Sequence, residues 1–286
     1  MRLSSILALC LTICCAQARA IRVVTDELGR TVSVPDHPHR LICLLPSVVD
    51  DVYALGAAAD VIAVSDYTKY PAEAHEKPSV GPPLSPSLEM IVALHADLVL
   101  GDGAMNHVET LSRLQQMGIP VFMVDPHGVA GIYRSLNSLG HALNRDDAAR
   151  NLIARLHQRE AAVRARVQGK SAIRVLMPVW YDPVVTIGSH AYITELIELA
   201  GGHSITSDIP QEWPQLSLEA VLARSPEALL LVRGSKMSVD AVKNRPGWSE
   251  LPAVRNNRVY YVGDEINYPS PVAFDALEEL AKEFHP

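Results

Sequence analysis

The residues best suited to binding or chemistry collect in short polar and aromatic stretches, each placed just after an apolar run. In the first half these are Pro46-Ser47, Ser65-Asp66-Tyr67-Thr68-Lys69-Tyr70-Pro71, Gly81-Pro82-Pro83 and Gly101-Asp102-Gly103. In the second half they are Trp180-Tyr181-Asp182-Pro183, Glu212-Trp213-Pro214 and Gly263-Asp264-Glu265-Ile266-Asn267-Tyr268. Ring faces grip a large, flat, partly apolar ligand, and a few polar groups fix its orientation. Any one of these rings, taken alone, serves equally well as loop packing. Tyr67 or Tyr70 offers one more chemistry, a phenolate that ligates ferric iron in a haem. The binding candidates in these stretches include Pro46, Ser47, Asp102, Trp180 and Tyr181.

Signals for catalysis are missing. Gly188-Ser189-His190 lacks the second glycine of a nucleophile elbow, and Gly101-Asp102-Gly103 is followed by Asn106 where a dinucleotide fingerprint has glycine. No His-Glu-x-x-His or Cys-x-x-Cys occurs, so no metal site and no resident cofactor are expected. His37 and His39 alternate with prolines in an expected loop. Cys43 sits in the apolar run Leu41–Leu45 with no base nearby and reads as a buried, inert thiol. An enzyme using Asp102, Asp264 or Tyr67, and a receptor for zinc or manganese, are the rival readings. The second needs converging ligands that the sequence does not cluster.

These stretches need a frame to hold them. The chain has 286 residues, 48% of them hydrophobic, enough for a packed core and for two lobes. It has 25 Lys+Arg against 32 Asp+Glu, an acidic balance opposed to nucleic-acid binding. Residues 1–20 read as a cleavable export signal: Arg2, an apolar stretch to Cys15, then Ala18-Arg19-Ala20. Cys10, Cys14 and Cys15 follow Leu, Ile and Cys rather than the small residues of a lipid-attachment site. A soluble monomer in the periplasm is expected, with Cys43 its single cysteine.

The mature chain reads as an α/β protein. A hairpin is expected over Ile21–Val34, with strands at Arg40–Leu45, Val61–Val64, Asp97–Leu100 and Val121–Val124. Helices are expected at Val48–Leu55, Leu88–Leu94 and Val108–Met117. Strands alternating with helices give parallel sheets. Asp146–Val167 contains no Gly or Pro and reads as one long helix, about 33 Å at ~1.5 Å per residue. The second half alternates again: strands at Ile173–Val179, Ala228–Val232 and Val259–Val262, helices at Tyr192–Ala200, Leu218–Ala223, Val239–Asn244 and Val272–Phe284. The fold expected is two α/β lobes, 21–145 and 169–286, with mostly parallel sheets, bridged by a helix over 146–168.

The halves also resemble each other. Ser87-Leu88-Glu89 opens SLEMIVALHADLVL and Ser217-Leu218-Glu219 opens SLEAVLARSPEALLLV. A serine N-cap and an acid in the first helical turn explain both as helix starts. Their recurrence at an equivalent place in each half is harder to assign to chance.

VIAVSDYTKYP, SLEMIVALHADLVLG, TELIELAGG and EWPQLSLEAVLARSPEALLLV, with the long central helix, resemble the periplasmic solute-binding proteins of cobalamin, haem and ferric-siderophore ABC importers. The similarity runs over Ile21–Pro286 and is greatest to the cobalamin-binding member. The resemblance implies a helical-backbone fold that opens little and a ligand, itself carrying cobalt or iron, held between the lobes. It implies that Tyr67, Trp213 and Asp264 line the cleft, and that Glu89 and Glu219 dock onto arginines of an inner-membrane permease served by its ATPase. The cobalamin binder has tryptophans where this chain has Pro83 and Asp102, which keeps a ferric siderophore or haem as the alternative ligand.

Overall fold

The computed structural model describes residues 20–286 apart from 104, 107 and 236. The expected export signal lies, but for its last residue, outside the described residues. The chain opens on a hairpin of β1 (Ile21–Thr25) and β2 (Thr31–Pro35). Gly29 turns it at a φ of +75°, where glycine alone has no steric cost. Then come β3 (Leu41–Cys43), α1 (Pro46–Ala54), β4 (Val61–Val64), α2 (Leu88–Ala93), β5 (Leu98–Asp102), α3 (Val108–Gln116), β6 (Val121–Val124) and α4 (Gly128–Ala142). Strands β3 to β6 form one parallel sheet, ordered β4-β3-β5-β6.

The long helix α5 spans Asp146–Val167. The second half follows with β7 (Ile173–Leu176), β8 (Pro178–Tyr181), β9 (Val184–Thr186), α6 (Tyr192–Leu199), β10 (Gly202–Ser204) and β11 (Gln215–Leu216). It ends with α7 (Leu218–Arg224), β12 (Ala228–Val232), α8 (Val239–Lys243), α9 (Pro252–Arg255), β13 (Val259–Val262) and α10 (Ala273–Phe284). Its parallel sheet is ordered β10-β7-β12-β13. Numbered by appearance, both parallel sheets run 2-1-3-4. The similarity read locally in the sequence is therefore a repeated topology: α2 and α7 are the same crossover, from second strand to third.

The repeat carries one insertion. β8, β9 and β11 form a small antiparallel flap, ordered β11-β9-β8. The single strand expected over Ile173–Val179 is thus two strands in two sheets, parted at the buried Met177. Pro178 has no N–H for the parallel ladder and opens a new strand instead. Sequence reading also assigned no element to 125–145, where α4 stands. Its glycines look like helix breakers, but they allow close packing. A Cβ at Gly140 would lie 2.5 Å from the Ala149 Cβ on α5, and one at Gly131 would lie 2.6 Å from the Pro126 carbonyl carbon.

The parallel sheets are covered on both faces, which is why their strands read as unbroken apolar runs. β12 shows the division. Ala228 and Leu230 face one core, while Leu229 and Leu231 face another beneath the flap. The first core continues through α4, α5, α6 and α10 into the N-terminal lobe. Tyr133 on α4 ties these helices together. Its ring lies 4.0 Å from His157 on α5 and 5.8 Å from Phe274 on α10, centroid to centroid, and its hydroxyl donates to Glu160 at 2.7 Å. Arg159 of α5 pairs with Asp275 and Glu278 of α10. The two lobes share one packed interior at the rear.

Candidate functional site

At the front, the carboxyl ends of the N-terminal strands carry three of the expected residues. Pro46 begins α1 directly after β3, with its missing N–H at a helix position that needs none. Ser47 beside it is buried. Asp102 ends β5, the neighbour of β3, and is buried as well. Its backbone N–H donates to Asn106 Oδ1 at 2.9 Å, and Asn106 Nδ2 donates to Pro83 O at 2.7 Å. The Asp102 turn and the proline-rich loop are thus bound into one surface.

Asp51 lies beneath this surface, 1% exposed, and its Oδ1 has no hydrogen-bond partner among the described residues. Burial, and then the charges of Asp50, Glu27 and Asp102, push its pKa well above the ordinary carboxylate value. A raised pKa means that folding takes up a proton, so this group's contribution to stability falls as pH rises above ~3.9, the unfolded value. Asp51→Asn is expected to raise Tm at pH 7 and to flatten its pH dependence between pH ~4 and ~7. Thermal melts across that range check it; a lower Tm at pH 7 would mean the acid holds a needed contact. Burial likewise raises the Cys43 thiol pKa far above the ordinary value, and the thiol is unreactive at neutral pH.

The loop after β4 crosses to the other lobe. Lys69 Nζ lies 2.6 Å from Asp264 Oδ2, and the Tyr70 and Tyr268 rings meet edge to face at 5.8 Å. Burial works against the Asp264 charge, but hydrogen bonds from Lys69, Asn267 and Tyr268 outweigh it and hold its pKa below the usual range. Tyr70 is partly covered, and burial followed by the Glu265 charge raises its pKa. It is thus poorly placed to be a phenolate. Tyr67 stands out from the same loop, 74% exposed, in a left-handed conformation (φ +67°) that is uncommon without a reason of function or turn geometry. Lys69 was not singled out from sequence, although its spacing two residues after Tyr67 puts it on the same loop.

The flap carries the remaining aromatics, and its register divides them. Trp180 and Gln215 both pair with Val185, whereas Tyr181 and Leu216 both pair with Val184. Directly paired residues share a face and successive ones alternate. Trp180 and Tyr181, neighbours in one candidate stretch, therefore point to opposite faces of the flap. Trp180 is 56% exposed. The Tyr181 ring packs edge to face on the buried Trp248 at 5.6 Å, with the Arg245 guanidinium 4.1 Å from its centroid. Tyr181 thus belongs to the flap's underside and borders a cavity of about 610 Å³ shared with Arg245 and Glu219. Trp213, 45% exposed, precedes β11. Among the described residues the exposed large aromatics are Tyr67, Trp180 and Trp213, and every other Tyr, Trp or Phe is at least half covered.

Glu89 and Glu219 are exposed in the first turns of α2 and α7. The caps themselves are serines: Ser87 Oγ accepts from the Met90 N–H and Ser217 Oγ from the Ala220 N–H, each at 3.2 Å. Glu219 folds back on its own backbone amide and the Ser217 hydroxyl, which lowers its pKa. It therefore stays ionised at the surface.

The sequence matches the family described as periplasmic binding protein over residues 41–266. The chain belongs to that family. Among relatives of this periplasmic binding protein, a vitamin B12-binding protein of Vibrio parahaemolyticus is 29% identical over 86% of this chain and 89% of its own. One of Yersinia pestis is 30% identical over 85% of each. The solved periplasmic vitamin B12-binding protein of Vibrio cholerae superposes with a TM-score of 0.74 at 26% identity, covering 86% of this chain and 96% of its own. An apo periplasmic heme-binding protein of Roseiflexus superposes with a TM-score of 0.78 at 25% identity, covering 87% and 98%. This periplasmic binding protein thus has the two-lobed fold with parallel sheets expected from its sequence.

Proposed function

We propose that the protein is the substrate-binding component of an ABC importer and holds a bulky metal chelate, cobalamin in the first place, between its lobes. The observation carrying this reading is the exposure of Tyr67, Trp180 and Trp213. Tyr and Trp are the side chains enriched where a partner covers them, with an apolar face to bury and a polar tip to bond. The Lys69–Asp264 pair and the Tyr70–Tyr268 contact join the Tyr67 loop to the C-terminal half, which supports a site at the boundary of the lobes. Pro46, Ser47 and Asp102 form the N-terminal wall, and the flap supplies the C-terminal one. The ligand brings its own cobalt or iron; the protein adds no resident cofactor and performs no reaction on it. The relatives named for vitamin B12 support cobalamin.

Titration of the mature protein with cyanocobalamin, haemin and a ferric hydroxamate, followed by calorimetry and visible spectra, tests the reading. Binding to none of the three overturns it. Haem or a ferric siderophore is the second reading, favoured by the freely standing Tyr67 phenol and by the heme-binding neighbour. A phenolate-to-iron band on adding haemin, lost in Tyr67→Phe, would establish it.

The protein acts as a monomer in the periplasm and delivers its ligand to an inner-membrane permease with its ATPase. Glu89 and Glu219, on matching crossovers of the two lobes, orient the docking. Surface ion pairs are individually weak, so both must be reversed to see the full effect. The double variant Glu89→Lys, Glu219→Lys is expected to abolish uptake and leave ligand affinity within about twofold. Uptake assays in cells, with calorimetry on the same variant, check both halves. Normal uptake would leave the two acids as helix-start residues only.

A further inference from the structure

The first N–H groups of any helix lack partners within it. In α4 the N-cap residue His127 turns its ring to Asp125 and makes no side-chain capping bond to the helix, and the first turn has no acid. In α10 the N-cap residue Val272 makes none either, although Asp275 stands in the first turn. Each helix receives a carboxylate from the opposite lobe instead. Glu195 Oε2, on α6, accepts from the Val129 N–H at 2.7 Å. Asp50 Oδ2, on α1, accepts from the Val272 N–H at 3.2 Å.

The repeated topology makes these two contacts equivalents. α4 and α10 each follow the fourth strand of their own sheet, and α1 and α6 each run from the first strand to the second. The lobes therefore exchange caps reciprocally, each giving an acid from its first crossover helix and receiving one on its last. A negative group at the positive end of a helix is favourable, and more so when partly buried. Asp50 is 8% exposed, and that burial raises its pKa against the Val272 hydrogen bond that favours its charge. Gly128 has a φ of +68°, and a Cβ there would lie 2.7 Å from Glu195 Oε2, so a glycine is what admits the incoming acid.

We propose that Asp50 and Glu195 form a two-point clasp that sets the angle between the lobes, and through it the residence time of the ligand in the crevice. The clasp itself is a property of the ligand-free protein. Its effect on residence time rests on the reading that the ligand lies between the lobes.

The test uses hydrogen exchange on ligand-free protein, read at the Val129 and Val272 amides. Asp50→Ala is expected to speed exchange at Val272, and Glu195→Ala at Val129, each about fivefold to tenfold with the rest of the chain unchanged. The pair Asp50→Asn and Glu195→Gln keeps an acceptor oxygen in each place and is expected to retain protection. In the double alanine variant, spin labels at the exposed positions 117 and 243 should report a broader lobe-to-lobe distance, and cyanocobalamin should leave at least about threefold faster. Unchanged exchange at both amides, or equal acceleration over the whole chain, would overturn the clasp. A clasp confirmed by exchange in a protein that binds no cyanocobalamin would leave the clasp standing and sink the ligand assignment alone.

Discussion

Trp213→Ala is expected to weaken ligand binding about thirtyfold while Tm stays within about 2 °C of the parent. The first figure corresponds to ~2 kcal/mol, typical of an aromatic anchor covered on binding. The second follows from exposure. Trp213 is 45% exposed, so its removal opens no cavity in the core, and surface changes of this kind stay within about 0.5 kcal/mol. Tyr67→Ala is expected to behave alike, because its ring is freer still. Calorimetric titration and a thermal melt on each variant decide the matter. A fall in Tm without a loss of affinity would make the ring a packing residue. Unchanged affinity in both variants would move the binding surface elsewhere on the molecule.

Trp248→Ala has the opposite expected profile. This indole is 1% exposed and stands at the centre of the second core of the C-terminal lobe, against Tyr181 and below β9 and β11. Removing it leaves a void that rigid neighbours cannot close, at a cost of about 3–5 kcal/mol. For a chain of this size the loss lowers Tm on the order of 10 °C. Ligand affinity should fall too, because Trp180 and Trp213 ride on the flap that Trp248 supports from below. A melt within about 2 °C of the parent would show that the second core is not packed as described.

The contrast between the two tryptophans marks what the sequence could reveal. Both follow or precede prolines or glycines in polar company, and no local pattern separates the exposed Trp213 from the buried Trp248. The frame was legible because its signals are local. β4, β6, β12 and β13 are apolar runs between breakers, and α5 is a run without Gly or Pro; all five occur with the expected ends. What was not legible depends on partners distant in the chain. The glycines of α4 read as breakers until Ala149 is brought beside Gly140. The flap's second face appears only once Val184 pairs with both Tyr181 and Leu216. Lys69 gains a meaning only when Asp264, far along the chain, meets it. Asp50 and Glu195 sit within amphipathic helices, and nothing in those helices announces that a second helix ends against them.

The placement of the flap has a consequence for how the molecule changes over time. Its strands enter between β7 and α6 and again between β10 and α7, at points where the duplicated architecture would otherwise run straight on. Under the proposed function, the flap's outward side could be rewritten for a new cargo while the scaffold stays untouched. Transplanting residues 178–186 and 211–216 between relatives is the corresponding shortcut for an engineer.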